Sequence, residues 1–528
     1  MRSLLLLVSL PALFAQCDGA EPVVTTIPVA QAACVNRVVT VTGVVVLSSR
    51  PVGGLWLQDA AGDGNAETTD GIFVFQGAAA PDFPEAGTLL RVTGRAVDFA
   101  RAGYTGALRQ LDIRTATTPL GRLERLGNAP VPAAAVLDPR PANAERHFRA
   151  RLGMLVSYPM AAVVMPANGF GEYYALRYDR LPPAVRVTDA APGEGVPLLI
   201  DDTGDAFRKR AKTFDLAPPL TGVLHFDFGA YRLMPAADYS LDDGGWTPVA
   251  AAAAPPGTLR IASMNVERLV PTATAAAQEL KLTKLARVIR DVLASPEIVA
   301  VQEVGSAELL AELGRRAGGY EALWVKSCDF SGIAVGVLWK ASAVTKSNAR
   351  QWQDEAPEFR NGRCTLEDGR QFTQFLFDRP SLAVDFAAGA FEFTLVVNHW
   401  RSQIGGNEAE RLAGARFIAR EVERLGARPA VVVGDFNDTE TSASLNALAG
   451  LDNLTLRVPP EDRYSLLFEG RSQAFDHLLL SPALRSRAPA FGYTHHNADF
   501  PIDGNAANAG SPVRAADHDV PWVTLRLR

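Results

Sequence analysis

The sequence predicts two small β-rich domains followed by an α/β domain, and three patterns carry that expectation. From about Glu21 to Leu120, short runs such as RVVTVTGVVV, GLWLQD, DGIFVFQ, LLRVTGRAV and ALRQLDI are separated by Gly, Pro and Asp. Strands of that length and spacing build a small barrel or sandwich rather than a parallel sheet. A second segment, 121–247, has the same character, with RLGMLVS, YYALRY, VPLLIDD and TGVLHFDFGAYRLM. An Ala/Pro stretch over 248–258 has no periodic face and reads as a linker. Beyond it helical and strand periods mix: Leu282, Leu285, Ile289 and Val292 share one helical face just before EIVAVQEV, and EAERLAGARFIAREVERLG precedes RPAVVVGDFN. Residues 259–528 are therefore expected to be α/β. A chain of 528 residues has room for roughly three or four domains of ordinary size.

The N-terminus, MRSLLLLVSLPALFAQCDGA, runs from a basic residue through an apolar stretch to small residues, the order of a secretory signal peptide over 1–20. Export follows as an expectation, to the medium, the periplasm or the cell surface. The apolar run from Leu4 to Leu13 is shorter than the roughly 18 residues that a spanning helix needs, and the sequence offers no other transmembrane candidate. In an oxidising compartment the four cysteines are expected to pair. Cys328 and Cys364 flank the polar insertion QWQDEAPEFRNGR and read as a bridge across its base. Cys17 either pairs with Cys34 or, if cleavage falls just before it, becomes a lipidated N-terminus.

A net charge of −6 argues against a protein that holds nucleic acid tightly through many phosphate contacts. It leaves room for an enzyme that cuts and releases it, with Arg379, Arg401 and Arg411 as local cations. The turn DAAGDGNAETTD brings Asp59, Asp63, Asn65 and Asp70 together. They read either as a solvated turn or as a calcium site, although the twelve-residue loop with its closing glutamate is missing.

Chemistry concentrates where apolar strands end. Asn265 follows LRIASM, Glu303 follows EIVAVQ, His399 follows FTLVVN, and Asp435 with Asn437 follows AVVVG. Buried strands that deliver polar side chains at their carboxyl ends make a rigid site. Glu303 suits a hard cation such as Mg²⁺ or Mn²⁺, which prefers oxygen ligands, yet a lone Glu is as readily a salt-bridge partner. In GDFN, Asp435 and Asn437 lie two apart and offer an acceptor and an amide, with a turn or helix cap as the bland alternative. His518 follows Asp517 in AADHDVPWV, and Asp476 is its candidate partner, because an Asp–His hydrogen bond sets the tautomer and raises the basicity. There is no GxSxG elbow, CxxC pair or P-loop. The assembled set is what a metal-dependent phosphodiesterase requires.

The ordered segments SMNVERL, VAVQEV, VVNHWRSQ, VVVGDFND, AFDHLLLSP and AADHDVP resemble the endonuclease/exonuclease/phosphatase superfamily, which includes deoxyribonuclease I, abasic-site endonucleases and neutral sphingomyelinases. YSLLFEG, HHNADFPID and GLWLQDAAGDGNAETTDGIFVF look like secreted bacterial nucleases that join an OB-fold-like domain to this catalytic domain. The resemblance implies a four-layered α/β sandwich over 259–528, an OB-fold-like domain over 21–120 and a second β-rich domain over 121–247. It implies that Asn265, Glu303 and Asp517 hold Mg²⁺ or Mn²⁺, that Asp435 orients water or steadies the leaving oxygen, and that Asn437 and Arg379 touch phosphate. His399 and His518 match the two active-site histidines, with Asp476 orienting His518 as the group that activates water. One departure concerns His399: the strand that carries an acidic partner in the family's deoxyribonuclease reads SGIAVGVLWK here, apolar where the acid would stand.

The expected activity is hydrolysis of extracellular DNA, or of RNA, by a secreted enzyme with nucleic acid as its partner and no protein partner. Two other readings compete. A sphingomyelinase-like phospholipid phosphodiesterase would use the same site, although no segment suited to membrane docking is visible. A noncatalytic surface binding protein would have no need of the acid, base and metal set.

Overall fold

The computed structural model describes residues 17, 22–178, 186–188, 195–352 and 377–528, and the backbone of the strand pair 358–360 and 363–365. The signal-peptide reading, apart from Cys17, and the side chain of Cys364 lie outside the described residues. Cys17 and Cys34 form a disulfide, which leaves no Cys17 thiol for a lipid. Cys328 is disulfide-bonded as well. Among the described residues no helix is long and apolar enough to cross a membrane.

The chain divides into two compact units, 1–187 with 192–245, and 246–528 with 188–191. In the first, Val38–Ser49, Gly54–Gln58, Gly71–Phe75, Leu108–Asp112 and Thr88–Phe99 pair in that order, and Thr88–Phe99 pairs back onto Val38–Ser49, so the five strands close into a ring. Val39, Val41, Leu55, Ile72, Leu90 and Leu111 fill it. An eight-stranded sheet formed by residues 135–235 has its own core around Val156, Tyr158, Val163, Ile200 and Leu233. In the Asp-rich turn, side-chain oxygens accept from the turn's own backbone: Asp59 from Ala61, Asp63 from Asn65, Asn65 from Glu67 and Asp70 from Asp63. These are side-chain-to-backbone bonds closed within the turn itself.

The second unit is built on two six-stranded sheets. One runs Glu321–Trp324, Ala334–Trp339, Ile298–Val304, Thr258–Leu269, Pro521–Arg526, Ala490–Tyr493; the other runs Thr345–Trp352, Ser381–Ala388, Phe391–His399, Ala430–Asp435, Asp476–Leu480, Asp452–Asn453. Alternation of side chains explains why their strands read as unbroken apolar runs. Ile298 and Ala300 join Leu395, Val397, Val431 and Val433 in one core between the sheets. Val299 and Val301 point the other way, onto the helix Ala275–Arg287 and the helix Ala307–Gly318. Val396 and Val432 likewise face the helix Glu408–Arg424 through Ala415 and Ile418.

Two local features position the C-terminal loops. The helix Ala275–Arg287 runs on into a π-helical turn, Val288–Val292. Its Lys284 ammonium is buried and donates to the carbonyl oxygens of Asn505, Asn508, Ser511 and Val513 at 2.7–3.2 Å. Part of the stretch read as a linker is docked: Val249 exchanges backbone hydrogen bonds with His495, and Ala251 donates to Val292. An alanine-rich strip lies flat because its own N–H and C=O groups supply the contacts, a capacity with no hydrophobic period.

Candidate active site

Register assembles half of the site. In the second sheet His399 lies opposite Asp435 across a parallel pair, and Asp435 opposite Asp476 across an antiparallel pair, so three adjacent strands place a polar residue on one rung. All three have the same parity as the inter-sheet core residues Val397, Val433 and Leu478, and therefore project from the inner face. Asn265 has the parity of Leu259 and Ile261 on the opposing sheet. It bridges the gap with Nδ2, donating to Asp435 Oδ2 at 3.0 Å and to Glu303 Oε1 at 3.2 Å.

Glu303 does not follow this rule. Alternation from Ile298 and Ala300 sends Gln302 inward, where it bonds Ser263, and would turn Glu303 toward the helices. A left-handed backbone at Glu303, φ +66°, and a register shift between Val301 and Val304 re-aim it. Such a conformation is uncommon for a residue with a Cβ and costs of order 1 kcal/mol. Asn437 is also left-handed, φ +50°. Gly434 is required, since at φ +143° a Cβ would lie 2.0 Å from the Asn398 carbonyl oxygen.

The second half of the site comes from loops. His518 Nδ1 lies 2.6 Å from Asp476 Oδ2, and both residues are buried. Asp476 is held by Ser465, whose Oγ accepts from the backbone N–H of Phe475 and Asp476. Asn497 straps the loop carrying Asp517 and His518. Its Nδ2 donates to the His518 carbonyl at 2.7 Å, and its Oδ1 accepts from Ala515 N at 2.9 Å. Asp519 Oδ1 in turn accepts from the backbone of His496, Asn497 and Ala498. Ser465 and Asn497 lie in YSLLFEG and HHNADFPID, segments with a visible resemblance, but both work through main-chain groups that no spacing reveals.

Electrostatics separate the two histidines. Burial alone would depress His518, but Asp476, Asp517 and Asp435 overrule it and hold its pKa well above the usual imidazole value. Burial, Arg379 and His518 push His399 well below that value, so His399 is neutral. Its Nε2 sits 3.7 Å from Asp435 Oδ2 and 3.8 Å from Glu303 Oε1, and its buried Nδ1 has no partner among the described residues. Asp435 is pushed up to about 7 by burial, with Asp476 and Glu303 adding to the rise and His518 opposing it.

Not every residue singled out is free for the role expected of it. Arg379 pairs with Asp329 at 2.7 Å and donates to the carbonyls of His399 and Trp400, so its guanidinium pins the end of the His399 strand. Arg411 is buried against Asp438 and the carbonyls of Arg401 and Ser402, and cannot meet a phosphate from there. Asn437 donates from Nδ2 to the Trp400 carbonyl. Asn265 turns its Oδ1 to Glu267 N, so as placed it braces two carboxylates. The donor set still suits a hard cation: it is rich in oxygen, and Oδ1 of both Asp517 and Asp476 is buried without a hydrogen-bond partner among the described residues. Asp435, Asp476 and His518 also bring ligand atoms within 4.8 Å of one another.

An α/β sandwich with this carboxylate, amide and histidine set on its inner strand ends defines a hydrolase of phosphate esters. Residues 267–499 match the model of the Endonuclease/Exonuclease/phosphatase family. Similar solved structures include an endonuclease/exonuclease/phosphatase family protein from Bacteroides thetaiotaomicron, at 15% identity over 53% of this chain and 98% of that one, TM-score 0.36. They also include humanized D. rerio TDP2, at 17% over 51% and 98%, TM-score 0.36, and the human Nocturnin catalytic domain with bound sulfate, at 14% over 52% and 95%, TM-score 0.36. Comparison with curated proteins finds no match.

Proposed function

We propose that the chain is an exported, metal-dependent nuclease that hydrolyses phosphodiester bonds of extracellular DNA. The observation that carries this is the convergence of Glu303, Asn265, Asp435, His399 and Asp476 from the two sheets with His518, which a loop brings onto Asp476. The closed five-stranded ring over residues 38–112 supports the OB-fold-like reading of the first domain, and that fold supplies nucleic-acid platforms. The placement of helices on the outer faces of both sheets supports a four-layered sandwich.

Glu303, with Asp517 and a reoriented Asn265, would hold the divalent ion. When bound there, Mg²⁺ or Mn²⁺ would neutralise charge on the phosphoryl oxygens and offset the carboxylate field that keeps His518 protonated. His518 is the group placed to take a proton from the attacking water at Nε2, and Asp476 fixes its tautomer by accepting from Nδ1–H. Asp435, carboxyl or carboxylate near neutral pH, sits where it can orient the water through Oδ2. Neutral His399 offers a hydrogen bond toward the same rung from Nε2.

The test is nicking of plasmid DNA by the mature chain in Mg²⁺ or Mn²⁺, against EDTA and against a folded His518→Ala variant. Metal-dependent nicking that the variant loses supports the reading. An intact plasmid together with hydrolysis of sphingomyelin overturns it in favour of a phospholipid phosphodiesterase.

A further inference from the structure

The first unit contains a cavity of about 380 Å³, within the size range of small-ligand sites. Its walls include Phe73, Phe75, Phe99 and Phe228. Two of its lining residues carry hydrogen-bonding groups without partners among the described residues. The Gln110 side chain, 5% exposed, makes no hydrogen bond among the described residues, and its amide offers one acceptor and two donors. His225, 4% exposed, accepts the Trp56 indole N–H at Nδ1 over 3.4 Å, so its hydrogen is on Nε2, which has no acceptor among the described residues. Buried polar groups are ordinarily paired, and these two line open space.

The charged groups around the cavity are mostly committed to each other. Arg232 donates to Glu172 and Asp201, and Arg101 grips Asp227 with two bonds. With Asp202 also lining the wall, carboxylates outnumber guanidinium groups by four to two, which disfavours a phosphate inside. A sugar would bring hydroxyls on every side and find too few free partners. A flat heteroaromatic ring needs only apolar contacts on its faces and two or three hydrogen bonds at one edge. At the rim, Phe228 is 44% exposed and held at φ +51°, with the Arg101 guanidinium 4.1 Å from its ring centroid. An exposed aromatic kept in a left-handed turn is an outlier of the kind found at binding sites.

We propose that this cavity receives a nucleobase of single-stranded nucleic acid, stacked among the phenylalanines and read at its edge by Gln110 and His225, with the sugar–phosphate chain outside. The proposal deepens the nuclease reading and rests on it. A Gln amide pairs bidentately with the edge of adenine, which makes adenine the favoured base.

The full chain, kept in EDTA so that no strand is cut, is titrated calorimetrically with dA and dT ten-residue oligonucleotides, with adenosine, and with the neutral disaccharide cellobiose. The expected result is binding of adenosine and both oligonucleotides, dA the tighter. The oligonucleotide Kd should rise about tenfold in Phe228→Ala and in Gln110→Leu, the loss typical of one stacked base. Phe228→Ala alters a rim residue, and fluorine NMR of fluorotryptophan at Trp56 reports whether Gln110→Leu keeps the cavity intact. Unchanged oligonucleotide affinity in both folded variants, or cellobiose binding in place of adenosine, overturns the proposal. Plasmid nicking by the same preparation in Mg²⁺ separates the two readings: nicking without adenosine binding removes the pocket and leaves the nuclease.

Discussion

Asn497 grips the main chain of His518, donating from Nδ2 to its carbonyl oxygen over 2.7 Å while accepting from Ala515 N at 2.9 Å. Asn497 is itself fully buried. Replacing it with Leu leaves the main-chain groups unsatisfied, at a cost of about 2–4 kcal/mol. The histidine also loses the strap that aims it. The expected outcome is a lower melting temperature and a fall in kcat of at least about tenfold with KM little changed, read by steady-state kinetics and thermal melting of the same preparation.

His518→Ala is expected to lower turnover by roughly 10² to 10⁴ fold while the fold survives. Asp476→Asn acts on the same proton from the other side. Asp476 is the largest of the influences that raise His518, so its neutralisation moves the His518 pKa down. NMR titration of the imidazole checks the direction; an unmoved or higher value refutes this account of the pair.

Glu303 should be needed for cation binding as well as for activity. A ligand that binds the folded chain at 100 times its Kd stabilises it by about 2.7 kcal/mol. Thermal melting of the parent should therefore rise on adding Mg²⁺ or Mn²⁺ and return in EDTA, while Glu303→Gln should show no rise.

His225 makes the first unit acid-sensitive. Burial, reinforced by Arg232, lowers its pKa to about 3. The unfolded chain, with a pKa near 6.5, binds the proton more readily between those values. The stability contribution is therefore complete above about pH 6.5 and is lost as pH falls toward 3, amounting to roughly 3 kcal/mol by pH 4.5. Urea unfolding followed by fluorine NMR of fluorotryptophan at Trp56, at pH 7.5 and 4.5, measures it, and His225→Leu should flatten the difference.

The parts of the site legible in the sequence are those set by strand period. His399, Asp435 and Asp476 each end or begin an apolar run with inward parity, so the pattern that marks the strand also marks the residue. Glu303 stands at such an end too, but parity alone points it away, and only the left-handed backbone at that residue brings it back. Asn497 and Ser465 hold backbone groups, and Arg379 is occupied by Asp329 and two carbonyls. Those facts depend on which loops meet, which composition and spacing do not encode. The fold class follows the alternation of periods, whereas the docking of 249–251 against His495 and Val292 follows main-chain hydrogen bonding and left no trace in the side chains.

Lys284 places its ammonium group among four loop carbonyls, the kind of oxygen cage that elsewhere surrounds a free metal ion. Here the cation is tethered to a helix. Chelators, dialysis and dilution can strip an exchangeable ion from the catalytic rung, but none of them can empty this cage. The loop 505–513 should therefore resist proteases equally well in EDTA and in Mg²⁺, and loss of activity on chelation will report the reacting centre alone.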